Sequence, residues 1–464
     1  MLDRIAESLG STEAALRLAI TLFVAYALAA VHRLKFCHAP PTTQYLYFIA
    51  CGMSLVVFNY GLDVYHSIIS VVCAYLICKF MGGTAASVIL AFVFYMGYLF
   101  LGYYYTATDT YDILWTIPQC ILTMRLIGLI TDMYDGHRSK ISADCAETAF
   151  KDCPSLLEIA AFTYFYGSSM VGPQFSIRRF RDFVAGRYDE PYVQGPLDHV
   201  TPSLQRLGLG ILYMVLHVGL TVIYPTDYFL SDEFKADFLL KKWINTLIWF
   251  RIILLRYQSA WLLAEGSCIL SGIGYNGRNE KGQVMWDAVR NIRMVKFEFG
   301  ASFQSIIESF NYNTNQWAAK YVFKRLRFLG SKEASHLITL AFLAIWHGFY
   351  TGYLACFGFE FACVMAERKV WSAFKRNNSF NTFSRTPEIM FPLWIVKKIA
   401  ITSGCAFGLI PFALLTFGRW IKVYKEMYFI GWILVVVLPP MLAWLSKSNF
   451  IGASKRRSKE NHHG

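Results

Sequence analysis

Two polar side chains lie in apolar stretches at a spacing that could support group transfer. His347 occurs in the uncharged segment AIWHGFYTGYLACF (344–357), and Asn311 precedes it by 347 − 311 = 36 positions. An imidazole can accept a proton near neutral pH, and a carboxamide can donate a hydrogen bond to an oxygen. We therefore predict a general base at His347 and an amide donor at Asn311, against the alternative that each only joins neighbouring helices.

The elements around these residues must bring them to one depth. In the segment SFNYNTNQWAAKYVF a helix would place Asn311 and Asn315 on one face, four positions apart. Two antiparallel helices joined by the basic link KRLRFLGSKEAS would then bring Asn311 close to His347. An amide at membrane depth is costly unless it is hydrogen-bonded, so we expect both side chains to face protein or a water-filled cavity.

Composition places the chain among integral membrane proteins. Of its 464 residues 55% are hydrophobic and only 16% are charged, whereas soluble domains carry nearer a quarter charged residues. We predict nine to twelve membrane segments, some of them tilted or broken. The longest uncharged windows are 44–62, 80–108, 207–226, 334–359, 399–418 and 427–446, and further candidates include 15–31, 64–78, 113–130, 243–264 and 303–329.

The net charge of +13 does not indicate nucleic-acid binding, because the positive residues fall between the apolar runs. That distribution is typical of positively charged cytosolic loops. It predicts a cytosolic basic tail at 447–464 and a luminal start of the chain. The eleven cysteines include no CxxC pair, which argues against a disulfide framework or a zinc site.

Other ionisable residues in apolar runs have simpler explanations. His66 and His217 are predicted to make hydrogen bonds between helices. Glu265, in WLLAEGSCILSG, is either an acid in a cavity or the partner of a basic neighbour, and we favour the partner. The polar insertion at 272–310 is longer than packing requires, so we expect it to carry function.

Residues near the predicted site allow alternatives of their own. Cys356 lies nine positions after His347, about two and a half helical turns away, which makes it a poor covalent nucleophile. Trp346 and Tyr350 could shape a substrate tunnel or simply pack between helices. Four cations could hold phosphates or merely fix the topology, and we favour topology for each of them: Lys320, Lys324, Arg325 and Arg327.

Several sequence blocks resemble the membrane-bound O-acyltransferase family and, within it, the lysophospholipid acyltransferase branch. The family-specific blocks are NYNTNQWAAKYVFKRLRFLG and LAIWHGFYTGYLACFGFEF. The branch-specific blocks are YFYGSSMVGPQFS, EGSCILSGIGYNG, the Trp286–Asp287 pair and KVYKEMYFIGW. The resemblance covers at least residues 164–432.

This resemblance implies an all-α integral membrane protein in which about 11 transmembrane segments enclose a catalytic chamber. The whole chain, 1–464, would be one domain, with N-terminal spans at 1–130, a catalytic core at 155–446 and the tail at 447–464. The family's catalytic histidine and asparagine correspond to His347 and Asn311.

The implied reaction moves a fatty acyl group, preferentially polyunsaturated, from acyl-CoA to the sn-2 hydroxyl of a lysophospholipid. Acceptors would carry choline, ethanolamine or serine head groups, and the protein would reside in the endoplasmic reticulum membrane. Acyl-CoA is a substrate, so no cofactor and no metal is expected. The expected partners are the two substrates and membrane lipids, with no nucleic acid, and a homodimer is left open.

Two alternatives remain at this point. The acyl acceptor could instead be a protein, a diacylglycerol or a sterol, because only the branch-specific blocks argue against these. A lipid or proton transporter with His347 as a relay is a third function. Transporters often show paired halves with broken segments in matching positions, and no such pairing is evident in the sequence.

Overall fold

A computed structural model describes residues 2–8, 10–108, 112–189, 198–375 and 386–448. Over these ranges the protein is helical, and its β-structure is limited to one isolated bridge between Arg278 and Val284. The α-helices are Leu2–Ser8, Glu13–Val31, Pro41–Tyr60, Val64–Met81, Ala85–Thr106, Thr116–Gly136, Ala143–Ala146, Leu156–Thr163, Ile177–Val184, Val200–Ile223, Asp232–Ala236, Leu239–Ser271, Met294–Phe299, Phe303–Ile307, Tyr312–Tyr321, Lys332–His347, Thr351–Lys375, Pro387–Leu414, Phe417–Glu426 and Ile430–Ser448.

Six helical segments of the described ranges are long and apolar enough to cross a membrane. They are Glu13–Phe36, Pro41–Met81, Ala85–Thr106, Val200–Leu230, Leu239–Ser271 and Pro387–Leu414. Large apolar side chains cover their outer faces, as at Leu212, Val215 and Val222. A continuous apolar exterior of this kind requires lipid around it. The all-α membrane fold is therefore confirmed, whereas the count of about 11 crossings stays a prediction.

Two predicted spans differ from the structure because polar residues and glycine interrupt them. The window 334–359 is divided into the helices Lys332–His347 and Thr351–Lys375, which meet at Gly348. The candidate 303–329 consists of short helices separated at Asn311, so it is no continuous crossing. The predicted tail from residue 449 onward lies outside the described residues.

The helix Thr116–Gly136 is the centre of the first half of the fold. Its side chains are buried on every face, with Met124, Leu126 and Ile127 fully inaccessible. It packs against the N-terminal spans on one side and against Tyr312–Tyr321 on the other. This helix therefore connects the first part of the chain to the segment that contains Asn311.

Chain links with many cations share one side of the bundle, which we call the basic side. There Arg33 Nη1 lies 2.8 Å from Asp189 Oδ1, and Lys324 pairs with Asp144. Arg179 Nε also donates to the Ile273 carbonyl at 3.0 Å, which places the start of the polar insertion on this side.

The links at the other ends of these helices form the opposite side. Thr108 N donates to Tyr350 Oη at 3.0 Å there, and Lys422 Nζ donates to the Leu230 carbonyl at 3.4 Å. By the distribution of positive charge, the basic side is predicted to be cytosolic.

Candidate active site

His347 is the last residue of the helix Lys332–His347, which we call the histidine helix. The chain turns at Gly348, whose φ of +145° lies in a region that favours glycine, and helix resumes at Thr351. A Cβ at Gly348 would lie only 2.9 Å from Tyr353 Cε2, so the turn also requires a residue without a side chain. The imidazole thus sits at a break between two helices and not midway along a span.

Aromatic rings enclose the half-buried imidazole of His347. Its ring centre lies 5.1 Å from that of Phe412, 5.4 Å from Phe357 and 5.6 Å from Tyr353. Among the residues that the structure describes, no hydrogen bond involves the ring nitrogens. The aromatic walls fix the ring, and its nitrogens remain available to a substrate.

Two hydrogen bonds, one donated and one accepted by the neighbouring Trp346, anchor this end of the histidine helix. Trp346 Nε1 donates to the Cys120 carbonyl at 2.8 Å, and Tyr103 Oη donates to the Trp346 carbonyl at 3.0 Å. Tyr350 forms the contacts with Thr108 described above. Trp346 and Tyr350 therefore do both things that the sequence left open, because they pack between helices and also line a cavity beside His347.

Asn311 directly precedes the helix Tyr312–Tyr321, which we call the asparagine helix. The helix is confirmed, but Asn311 itself adopts the left-handed conformation, with φ 49° and ψ 43°, and its side chain does not cap the helix. Non-glycine residues in this conformation are uncommon and occur at functional sites. The Asn311 carboxamide is consequently not used for local structure.

Asn315 has a different task from Asn311, although both lie near the same turn. Its Nδ2 donates to the carbonyls of Ile307 at 2.7 Å and Phe310 at 3.0 Å. These bonds hold the loop before the asparagine helix in place. Asn315 therefore supports the conformation of Asn311.

Acidic residues of the helix Thr116–Gly136 anchor the C-terminal end of the asparagine helix. Tyr321 Oη donates to both carboxylate oxygens of Asp132 at 2.9 Å, and Lys320 Nζ lies 3.4 Å from the same carboxylate. Arg325 binds both oxygens of Asp135, one of them at 3.1 Å. These pairings favour a structural role for the cations.

The remaining two predicted cations lie at the surface. Lys324 pairs with Asp144, and its hydrogen bond lowers the pKa of that carboxyl to about 2. Arg327 is exposed on the basic side. Of the four cations considered for substrate phosphates, three are thus already paired with carboxylates.

Two cavities meet at the predicted catalytic pair. The first, which we call the polar chamber, has a volume of about 230 Å³ and includes amide and hydroxyl groups among its lining residues. The second, the apolar tunnel, has a similar volume of about 230 Å³ and is lined mainly by apolar residues, among which phenylalanine is the most frequent. Each far exceeds the roughly 10–15 Å³ that one water requires, so both could admit parts of a substrate.

His347 and Asn311 line both cavities. Thr314 and three aromatic residues are also shared: Tyr257, Trp261 and Phe412. The two predicted residues therefore lie at the junction where a polar and an apolar substrate segment would meet. Such a junction suits a reaction between an oily acyl group and a polar acceptor.

Sequence reasoning missed several residues that line these cavities. Gln174, Arg256 and Asn291 face the polar chamber, and Glu360 is the one carboxylate lining the apolar tunnel within the described ranges. Asn291 lies in the polar insertion at 272–310, which was expected to carry function. Its individual position could not be found, because the insertion has no regular period that fixes depth.

Other polar residues are structural, as expected. His66 Nδ1 shares a hydrogen bond with Tyr98 Oη at 2.7 Å, and His217 Nδ1 shares one with the Ile252 carbonyl at 3.0 Å. Both bonds join different helices. The interpretation of these two histidines as helix contacts is therefore confirmed.

Glu265 is the partner of basic neighbours and lines neither cavity. It is buried, and its Oε1 lies 2.9 Å from Arg206 Nε and 3.2 Å from Arg290 Nε. Trp286 packs near Tyr275, and Asp287 accepts a hydrogen bond from an asparagine of the same insertion. These residues organise the insertion around the chamber.

Comparison with known proteins identifies the family. The profile of the membrane-bound O-acyltransferase family matches residues 100–403, which is more than half of the chain and includes both cavity-junction residues. The chain belongs to the membrane-bound O-acyltransferase family. The resemblance found in the sequence blocks is thus confirmed, and this family member is a multi-pass membrane enzyme of the O-acyltransferase class.

Full-length relatives of this O-acyltransferase are named Lysophospholipid acyltransferase 5. The Caenorhabditis elegans protein is 40% identical over 440 residues, covering 94% of this chain and 93% of the relative. The Homo sapiens protein is 38% identical over 450 residues, covering 96% and 92%. The Drosophila melanogaster protein is 36% identical over 449 residues, covering 94% and 88%.

Proposed function

We propose that this membrane-bound O-acyltransferase transfers a fatty acyl group from acyl-CoA to the sn-2 hydroxyl of a lysophospholipid. The observation that carries the proposal is the position of His347 and Asn311 at the junction of the polar chamber and the apolar tunnel. The names of the full-length relatives support a lysophospholipid as the acceptor. The products are a diacyl phospholipid and free CoA.

His347 acts as the general base in a direct transfer. A free hydroxyl is too weakly acidic to ionise at neutral pH, so the imidazole takes its proton as the oxygen attacks the thioester carbonyl. The tetrahedral intermediate then collapses, the C–S bond breaks, and the imidazolium returns the proton to the leaving thiolate. No acyl-enzyme forms, so the reaction needs no protein nucleophile.

Asn311 supplies a fixed hydrogen-bond donor at the reacting atoms. Its amide either orients the hydroxyl or donates to the thioester oxygen as negative charge develops. One preorganised donor of this type contributes about 3 kcal/mol to transition-state stabilisation. The left-handed backbone at Asn311 holds the amide in place before substrate arrives.

The two cavities suit different parts of the substrates. The apolar tunnel, with walls such as Phe250, Leu254 and Phe357, fits the fatty acyl chain. The polar chamber is lined by Asn291, from the insertion that begins on the basic side, and by Thr108 and Tyr350 of the opposite side. In the proposed reaction CoA enters this chamber from the basic side and the lysophospholipid from the other.

The finer assignments follow the family resemblance. We propose polyunsaturated acyl donors and choline, ethanolamine and serine lysophospholipids as acceptors, which makes the reaction a step in phospholipid remodelling. We also propose residence in the endoplasmic reticulum membrane with the basic side in the cytosol. Acyl-CoA is consumed as a substrate, and the proposed chemistry uses no cofactor or metal.

The purified protein in lipid nanodiscs tests this function. Arachidonoyl-CoA is supplied together with lysophosphatidylcholine, diacylglycerol and a sterol in competition, and each acylated product is quantified. We expect diacyl phosphatidylcholine from the wild type and a loss of at least about a hundredfold in the folded His347→Ala variant. Acylation of only the diacylglycerol or the sterol would exclude the proposed acceptor, and near-normal turnover in the variant would exclude the mechanism.

A further inference from the structure

Asn291 has an unsatisfied hydrogen-bond acceptor inside the protein. The residue is only 4% exposed, and its Oδ1 has no hydrogen-bond partner among the described residues. The side chain also lines the polar chamber. A buried carbonyl oxygen without a donor is costly, and at a cavity wall the donor can come from a molecule in the cavity, either water or a substrate that displaces it.

The backbone places Asn291 beside the reacting centre. Its carbonyl accepts a hydrogen bond from Tyr312 N at 2.8 Å, and Tyr312 directly follows Asn311. Gly172 also lines the chamber and lies next to the Asn291 amide, because a Cβ on that glycine would lie 3.7 Å from Nδ2. The Asn291 side chain is therefore held by the insertion on one side and faces the loop at Gly172 on the other.

Asn291 lies toward the basic side of the chamber. The insertion that contains it begins at the end of the long helix Leu239–Ser271, where Arg179 binds the Ile273 carbonyl. The chain returns to this end three positions before Asn291, because Ala288 N donates to the Gly274 carbonyl at 3.2 Å. The opposite end of the chamber contains Thr108 and Tyr350. A polyanionic CoA arriving from the basic side would extend its pantetheine arm past Asn291 to reach His347.

The chemistry of the two substrates identifies the donor. Lysophosphatidylcholine has a single hydrogen-bond donor, its sn-2 hydroxyl, which must face His347, and its quaternary ammonium has none. The pantetheine arm of acyl-CoA has two amide N–H groups, one of them three bonds from the sulfur. We propose that Asn291 Oδ1 accepts a hydrogen bond from this sulfur-proximal amide, which makes Asn291 a binding residue for acyl-CoA.

This inference rests on the proposed function, because it assumes acyl-CoA as the donor. Its test uses lysophosphatidylcholine and two acyl donors: ordinary arachidonoyl-CoA and an analogue in which an ester oxygen replaces the sulfur-proximal amide N–H. We expect the wild type to have a KM about tenfold lower for the amide than for the ester donor. In Asn291→Ala the KM for arachidonoyl-CoA should rise about tenfold, with the KM for lysophosphatidylcholine unchanged and no discrimination between the donors.

Two further variants separate binding from folding. Asn291→Asp keeps an oxygen acceptor of the same shape and should retain the preference for the amide donor. Gln283→Ala removes an exposed amide from the same insertion and should behave like the wild type. If Asn291→Ala does not fold, Asn291→Leu, which keeps a side chain of similar shape without an oxygen acceptor, takes its place in the comparison of the two donors.

The outcomes distinguish this inference from the proposed function. Equal use of both donors by an active wild type would overturn the role of Asn291 and leave the acyl transfer intact. The role of Asn291 would also be overturned if folded Asn291→Ala still preferred the amide donor over the ester donor, or if its KM rose only for lysophosphatidylcholine. A wild type that transfers no acyl group to lysophosphatidylcholine would overturn both.

Discussion

Replacing Asn311 by glycine should remove catalytic power and leave the fold stable. The Asn311 side chain does not cap its helix, and within the described residues it forms no hydrogen bond. Its backbone has φ 49°, which glycine adopts without strain. Alanine at the same position would cost about 1–2 kcal/mol in backbone strain, so glycine is the cleaner substitution.

The size of the effect follows from the role of the amide. Loss of one preorganised donor to a developing oxyanion lowers kcat by about 10²–10³, or roughly 3–4 kcal/mol in the barrier. Because the substituted amide stabilises no other part of the protein, the melting temperature should stay within about one degree of the wild type. We therefore predict that Asn311→Gly has a much lower kcat than the wild type and the same stability.

Asn315→Ala is the matched control. It removes a carboxamide only four positions away, but that amide donates to Ile307 and Phe310. The substitution removes two hydrogen bonds and leaves the two carbonyl oxygens without this donor, which should cost about 2 kcal/mol of folding free energy. A melting temperature lower by a few degrees, with a smaller loss of turnover than in Asn311→Gly, is the expected result.

Both variants are compared in nanodiscs by acyl-transfer rates at saturating substrates and by thermal melting. A catalytic role for Asn311 would be refuted if Asn311→Gly retained kcat within about tenfold of the wild type. It would also be refuted if the loss of activity were matched by a drop in melting temperature as large as that of Asn315→Ala. Asn311 would then be a structural residue.

Three further predictions concern other parts of the site. Gly348→Ala should lower kcat more than tenfold, because its Cβ would crowd Tyr353 at a φ that strains an L-residue; wild-type kcat would contradict this. Cys356→Ser should keep kcat within about threefold, and intact-mass spectrometry during turnover should show no acyl adduct on the wild type, whereas an adduct absent from the variant would establish a covalent route. Glu265→Gln should destabilise the protein by about 1.5–3 kcal/mol in thermal melting, because two partly exposed arginines lose the carboxylate charge that they share, while Glu280→Gln on the exposed part of the insertion should not.

Properties encoded in contiguous segments could be predicted from the sequence. Long uncharged runs predicted most of the helices, because a segment in lipid must satisfy its own backbone hydrogen bonds. The spacing of Asn311 and His347, with a basic link between them, correctly predicted a pair of helices that brings both to one cavity. The family blocks are likewise contiguous, and the family they indicated is confirmed.

The exact ends of the helices at the site depended on side-chain contacts and backbone angles. The window 334–359 shows no charge, yet the chain turns at Gly348 and places His347 at a helix end. The left-handed backbone of Asn311 is likewise not encoded by the apolar pattern, because periodicity describes only regular structure. These two local departures give the imidazole and the amide their access to the cavities.

The sequence alone indicated the membrane class by its long apolar runs, the family by blocks that resemble it, and the predicted pair His347 and Asn311, since each of these depends on the residues of a contiguous segment. Only the tertiary structure decided which charges are already paired and which polar groups are left without a partner. Lys320 and Arg325 bind carboxylates of a helix nearly two hundred positions earlier. Asn291 lines the polar chamber together with Gly172, which lies more than a hundred positions before it. Such pairings bring distant segments together, and a buried polar group reveals a binding role only when all of its neighbours are known.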